Sequence, residues 1–174
     1  MEPDSIIFDL GAAEGIFALN VIEKAKKIYI FESEKEWLLP LQKTFEPWKD
    51  KITIINKYAS ENDSESTIKL DAIAKDIEPN QNIFLKLDVE GAEKQVLIGA
   101  KQLLNSDNQH VKAAICTYHY PQDYNNLTDL MVNDFNYNIS TSKGYMCCFY
   151  GGVPDSEYFR RTMIYCYKKH KTAI

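Results

Sequence analysis

The sequence predicts an α/β fold, a three-layer αβα sandwich built on a mostly parallel sheet. Three observations carry that prediction. Short, near-continuous apolar runs alternate with amphipathic segments from residue 5 to about residue 120, and runs of that kind mark strands buried on both faces. Polar or charged residues close the runs, where ligands sit in a parallel sheet. Neither a repeat nor a low-complexity linker interrupts the alternation, so the 174 residues fit one domain around one core.

Taken in order, SIIFDL (5–10) reads as a buried strand ending in a carboxylate, GAAEG (11–15) as a turn, and IFALNVIEKAKK (16–27) as an amphipathic helix. KIYIFES (27–33) is a second strand and EKEWLLPLQKTFEPW (34–48) a second helix, with Pro40 near its first turns. KITIINKYAS (51–60) reads as a third strand, followed by a polar turn, a short strand over 66–70 and a short helix over 71–77. NIFLKLDV (82–89) is the fourth principal strand, AEKQVLIGAKQLL (92–104) its helix, and KAAICTYHY (112–120) the fifth principal strand. Beyond residue 120 the rhythm changes. A helix over 124–135 leads to a strand over 136–142, an aromatic excursion over 143–159 and a final alternating strand over 160–169. Two strands joined by a loop predict an antiparallel pair at the sheet edge.

Bulk properties narrow the partners. A net charge of −5 argues against duplex DNA or an anionic membrane surface as the main partner. No apolar run approaches the roughly 20 residues that span a bilayer, and the first residues do not form a signal peptide. Cys116, Cys147, Cys148 and Cys166 lack metal-site spacing and read as free thiols in a reducing cytoplasm, so no metal is expected.

Asp9, Glu32, Asn56, Lys57, Asp88, Glu90 and His119 fall at the carboxyl ends of five predicted strands. The glycine turn after the first strand is GxxxG, which permits close approach to a helix N-terminus and disfavours the pyrophosphate-binding GxGxxG pattern. Such a turn also arises for purely structural reasons. Glu32 has two readings, a carboxylate for the two hydroxyls of a ribose or a charge opening a helix. In DVEGAE (88–93), Asp88 suits an N-cap and Glu93 a helix N-terminus. Lys86 inside an apolar strand needs a carboxylate or a ligand to offset its burial. His119, in TYHYPQD, is either a general base or a rim histidine among tyrosines.

These residues carry a resemblance. LKLDVEGAEKQVLIGAKQLL resembles the most distinctive motif of the FkbM family of S-adenosylmethionine-dependent methyltransferases. FDLGAAEG is similar to that family's glycine loop, IYIFES to its acidic second strand, and STIKLDAIAKD to the segment before its fourth strand. The similarity covers residues 5 to about 140. Two positions depart from it: Ala13 stands where Asn is common, and Ser33 where Pro is common. Family members usually carry a segment before the glycine loop, whereas here the first strand begins about four residues in, so the expected cap is short or missing.

The resemblance implies a single Rossmann-like domain over 1–174, with a seven-stranded sheet in the order 3-2-1-4-5-7-6 and an antiparallel edge strand. It implies S-adenosyl-L-methionine as cofactor, held by Asp9, Gly11, Ala12, Gly15, Glu32, Ser33, Tyr58, Ala59 and Asp88. Catalysis would fall to His119, Asp88 and Glu90, with Tyr145, Arg160 and Arg161 framing the acceptor. The expected reaction is O-methylation of a small-molecule or glycan-type acceptor. N-methylation on the same fold and a nucleoside-binding module without catalysis remain open, as does homodimerisation.

Overall fold

The computed structural model describes residues 1–148 and 158–168. Strand β1 (Ser5–Leu10) leads through the glycine turn into helix α1 (Ile16–Val21), and β2 (Ala25–Phe31) into α2 (Lys35–Thr44). A single 3₁₀ turn, Glu46–Trp48, precedes β3 (Ile52–Ile55). Then come the short strands β4 (Tyr58–Ala59) and β5 (Thr67–Ile68), and helix α3 (Leu70–Ala74). Strand β6 (Asn82–Leu87) feeds α4 (Glu93–Gly99) and α5 (Lys101–Asn105), and β7 (His110–Cys116) feeds α6 (Asp123–Asp129). Helix α6 runs into one π turn, Leu130–Asp134. The chain continues through β8 (Tyr137–Thr141), β9 (Tyr145–Cys147), β10 (Phe159–Arg161) and β11 (Met163–Lys168).

The main sheet runs β3-β2-β1-β6-β7-β11-β8. Counted in chain order among its own strands this is 3-2-1-4-5-7-6, as expected. Strand β11 is antiparallel to both β7 and β8, so the reversed strand lies one place inside the edge. The strand order reverses between β1 and β6, and a crevice opens above their carboxyl ends.

Every residue of β1 is buried, which explains why SIIFDL is apolar without alternation. Ile6, Phe8 and Leu10 pack into one layer with Val96 and Leu97 of α4, Leu103 and Leu104 of α5 and Leu127 of α6. Ile7 faces the opposite layer, with Ala18 of α1 and Leu41 of α2. Each such side chain contributes about 1.5–3 kcal/mol on burial, so the sheet is clamped from both sides.

Several predicted elements break where tertiary contacts override the local pattern. The first helix stops at Val21 because Ala25 already pairs with Ser5 in the sheet. The third predicted strand stops at Ile55, because the Asn56 amide donates to the carbonyls of Glu32 and Ser33 at 2.7 and 2.9 Å. Beyond that break, Tyr58 and Ala59 pair with β5 in a separate two-stranded sheet. The helix predicted over 92–104 divides at Ala100, next to the point where Gly99 packs onto the Ser60 carbonyl. Strand β7 ends at Cys116, so His119 lies in the loop after the strand. Residues 149–157 of the aromatic excursion, and Lys169 of the last predicted strand, lie outside the described residues.

Candidate functional site

A cavity of about 610 Å³ opens above the switch in strand order, lined by Gly11, Glu32, Ser33, Tyr58, Asp88 and Glu90 among others. Gly11 sits at φ +74°, and a Cβ there would stand 1.9 Å from the carbonyl oxygen of Asp88. The first glycine is therefore needed to let two strand ends pass each other. Ala13, also in the cavity wall, holds φ 44°, a left-handed conformation that Asn tolerates better than Ala.

Glu32 ties this turn to the next element. Its Oε2 accepts the Ala13 N–H at 2.8 Å and its Oε1 accepts the Glu34 N–H at 2.8 Å. A carboxylate offers about four acceptor positions, so each oxygen of this cavity-lining residue keeps acceptor capacity beyond its amide. Beneath the turn, Lys86 resolves its apparent misfit. The strand register sets it directly across from Asp9, and the ammonium lies 3.2 Å from that carboxylate. The same ammonium donates to the Gly11 carbonyl and bridges strand and loop. Burial pushes the Asp9 carboxyl upward in pKa, against the pull of Lys86.

The second half of the site gathers around His119. Its Nε2 lies 3.4 Å from Asp88 Oδ1 and 3.7 Å from Glu90 Oε2, and its Nδ1 lies 3.1 Å from Glu93 Oε1. Burial works against protonation of His119 and is outweighed by Glu93, Asp88 and Glu90, so its pKa is raised. Tyr118 donates to Asp88 Oδ1 at 2.7 Å. Burial, then that bond, drives the Tyr118 hydroxyl well above the usual phenol range, so it stays a donor. Glu90 is held at φ 54°, an unusual conformation for a residue with a Cβ.

Of the residues singled out from the sequence, Gly11, Glu32, Ser33, Tyr58, Ala59, Asp88 and Glu90 line the cavity. Asp9 does not: its side chain has no exposed surface and faces Lys86 under the loop. Ala12 belongs to the core beneath α1 and α2, and Gly15 packs against Leu41 and Phe45. Arg160 donates to the carbonyls of Tyr118 and His119 at 2.9 and 2.8 Å, while Arg161 stacks over Tyr145. The Arg160 side chain braces the 117–120 loop, Arg161 reaches it through its carbonyl, which accepts the Thr117 hydroxyl at 2.7 Å, and neither side chain is among the described residues lining the cavity, where framing of the acceptor was expected. Sequence reasoning missed Glu93, which is only 1% exposed. The signal was present, since Glu93 shares a helical stripe with Val96, Leu97 and Ala100.

With this geometry in place, comparison with known proteins decides the family. The pattern of the Methyltransferase FkbM domain matches residues 42–145. The chain belongs to the FkbM methyltransferase family. No curated protein sequence matches it. Among solved structures, an FkbM methyltransferase from Methylobacillus flagellatus KT superposes with a TM-score of 0.72 at 23% identity, covering 95% of this chain. This FkbM chain spans only 44% of that protein's length. An rRNA methylase from Streptococcus thermophilus gives a TM-score of 0.55 at 13% identity, over 97% of this chain and 89% of that one. TrmK of M. capricolum, in complex with the cofactor product S-adenosyl-homocysteine, gives 0.54 at 17%, over 95% and 65%. These likenesses establish a shared fold. No helix among the described residues of this FkbM chain is long and apolar enough to cross a membrane.

Proposed function

We propose that this chain is an S-adenosylmethionine-dependent methyltransferase that methylates oxygen in a small-molecule or carbohydrate-type acceptor in the cytoplasm. One observation carries the reading: in a chain of this family, the Glu32 carboxylate stands in the wall of a 610 Å³ cavity with acceptor positions to spare. A cavity of that size suits a nucleoside-containing ligand, within the roughly 300–1,000 Å³ of small-molecule sites. The donor set also fits the group. Glu32, Asp88 and Glu90 give the cavity an acidic wall, suited to a cationic sulfonium.

When bound, the cofactor supplies the methyl group for in-line displacement. Glu32, with Ser33 beside it, would take the ribose hydroxyls. Tyr58 and Ala59 would hold the adenine, and Gly11 with the 11–15 turn the methionine portion. Asp9 acts indirectly, holding Lys86 and through it the Gly11 carbonyl. Asp88 and Glu90, which line the cavity, would orient the acceptor hydroxyl, and His119, buried beside them, would take up its proton. Glu93, Asp88 and Glu90 raise the pKa of His119 against the effect of burial, which stabilises the imidazolium that forms when the ring takes a proton.

The net charge of −5 favours an uncharged or cationic acceptor over RNA, although a structural neighbour is an rRNA methylase. A second reading, a nucleoside-binding module without turnover, is favoured by the 90% exposure of the Glu90 side chain, which leaves the acceptor side open to water. Calorimetry with S-adenosylhomocysteine tests both readings. Micromolar binding is expected, and no binding would remove the methyltransferase reading. Binding followed by no methyl transfer to a panel of hydroxylated, aminated and RNA acceptors would favour the second.

A further inference from the structure

We propose that Glu93 is a positioning residue that fixes the orientation and tautomer of His119, so that Nε2 is the ring atom turned toward Asp88 and Glu90 of the cavity wall. The inference rests on the reading of His119 as a proton acceptor, and adds a residue to which the sequence assigned only a helix-end charge.

Four observations support it. Glu93 opens α4 yet is 1% exposed, which is costly for a carboxylate unless something pairs with it. Its Oε1 accepts the Val89 N–H at 2.9 Å and stands 3.1 Å from His119 Nδ1, so one oxygen is pinned by the backbone and turned to the ring. Across the ring, Nε2 faces Asp88 and Glu90 at 3.4 and 3.7 Å, both of which line the cavity. Tyr118 lies against the ring with centroids 4.3 Å apart, and Arg160 holds the carbonyls of both residues.

A histidine with a carboxylate on Nδ1 keeps that proton there, and the Nε2 lone pair is then left on the side of Asp88 and Glu90. The groups around the imidazole are Glu93 from α4, Asp88 and Glu90 from the β6–α4 loop, Asp123 from α6 and Arg160 from β10. Among the described residues Glu93 is the carboxylate facing Nδ1, and at 3.1 Å it stands closer than Asp88 or Glu90 stand to Nε2, so it favours the Nδ1–H tautomer against their opposing pull. The other carboxylates add negative potential on the Nε2 side and thereby favour the imidazolium that a proton acceptor becomes.

Nitrogen-15 NMR of the full chain tests this without any acceptor, with His119→Asn identifying the signals. In the wild type, neutral His119 is expected to carry its proton on Nδ1. In Glu93→Gln, the titration midpoint is expected to fall by about one pH unit, a tenfold loss of proton affinity. Glu93→Asp, which keeps the carboxylate, should restore most of it. A neutral ring protonated at Nε2 in the wild type would overturn the proposal even if the Gln variant failed to fold. So would an unchanged midpoint in a folded Glu93→Gln protein. Calorimetry with S-adenosylhomocysteine separates this proposal from the cofactor reading. Wild type and Glu93→Gln should bind it within about twofold of each other, a difference under about 0.5 kcal/mol. Failure of the wild type to bind would remove the cofactor reading, while the tautomer would still decide the role of Glu93.

Discussion

The two halves of the site are built by different means. Around β1 and β2, side chains serve the backbone: Glu32 holds two amides, Asn56 two carbonyls and Lys86 the loop carbonyl of Gly11. Around β6 and β7, Glu93 and Arg160 also hold backbone, but the centre is made by side chains meeting one another, with three carboxylates converging on a single imidazole. The first half is a shaped cradle whose polar groups are held by backbone partners. The second is an electrostatic cluster whose properties depend on which protons are present.

That contrast can be broken from either side. The largest effect is expected from Lys86→Met. It strands the Asp9 carboxylate at 0% exposure and should destabilise the fold by about 3–5 kcal/mol in urea denaturation. Adding Asp9→Asn should recover part of the loss, and full additivity would argue against the pairing. Next comes Glu32→Ala, which removes the two amide bonds together with the proposed ribose contact. Affinity for S-adenosylhomocysteine should fall about 100-fold in calorimetry, close to 2.7 kcal/mol. An unchanged affinity would confine Glu32 to loop structure.

Smaller again, Ala13→Asn or Ala13→Gly should raise stability by about 1 kcal/mol, because the left-handed backbone at φ 44° penalises Ala. The smallest effect lies in pH dependence. The folded pKa of His119 is raised above its ordinary 6.5, so its stabilisation is present below that value and is lost as pH rises through the folded pKa. The stability gap between wild type and His119→Asn should therefore narrow as pH climbs above about 6.5. A gap that widened would show that burial, which opposes protonation, dominates instead.

The cradle was more legible in the sequence than the cluster, for a physical reason. Apolar runs, the GxxxG turn and the acidic end of β2 are local patterns, and each records its own fold environment. The Asp9–Lys86 pair depends on strand register, which the sequence does not reveal, although the lone lysine in an apolar run did announce a missing partner. The break after Ile55 depends on Asn56 finding carbonyls at the end of another strand. Glu93 was hidden because a helix-end charge already has a sufficient local explanation, and only its stripe with Val96 and Leu97 contradicts it. His119 was found by residue type and position, but what orients it comes from a helix more than twenty residues earlier.

Gly99 gives the two halves a mechanical connection. At one end of α4 its bare backbone rests on the Ser60 carbonyl, next to Ala59 in the cavity wall. At the other end stands Glu93, against the imidazole. Seven helical residues at about 1.5 Å each make a strut roughly 10 Å long. Position 99 therefore sets how closely α4 can lie against the 58–60 segment, because a Cβ there would stand 2.0 Å from the Ser60 carbonyl oxygen and push helix and cavity wall apart.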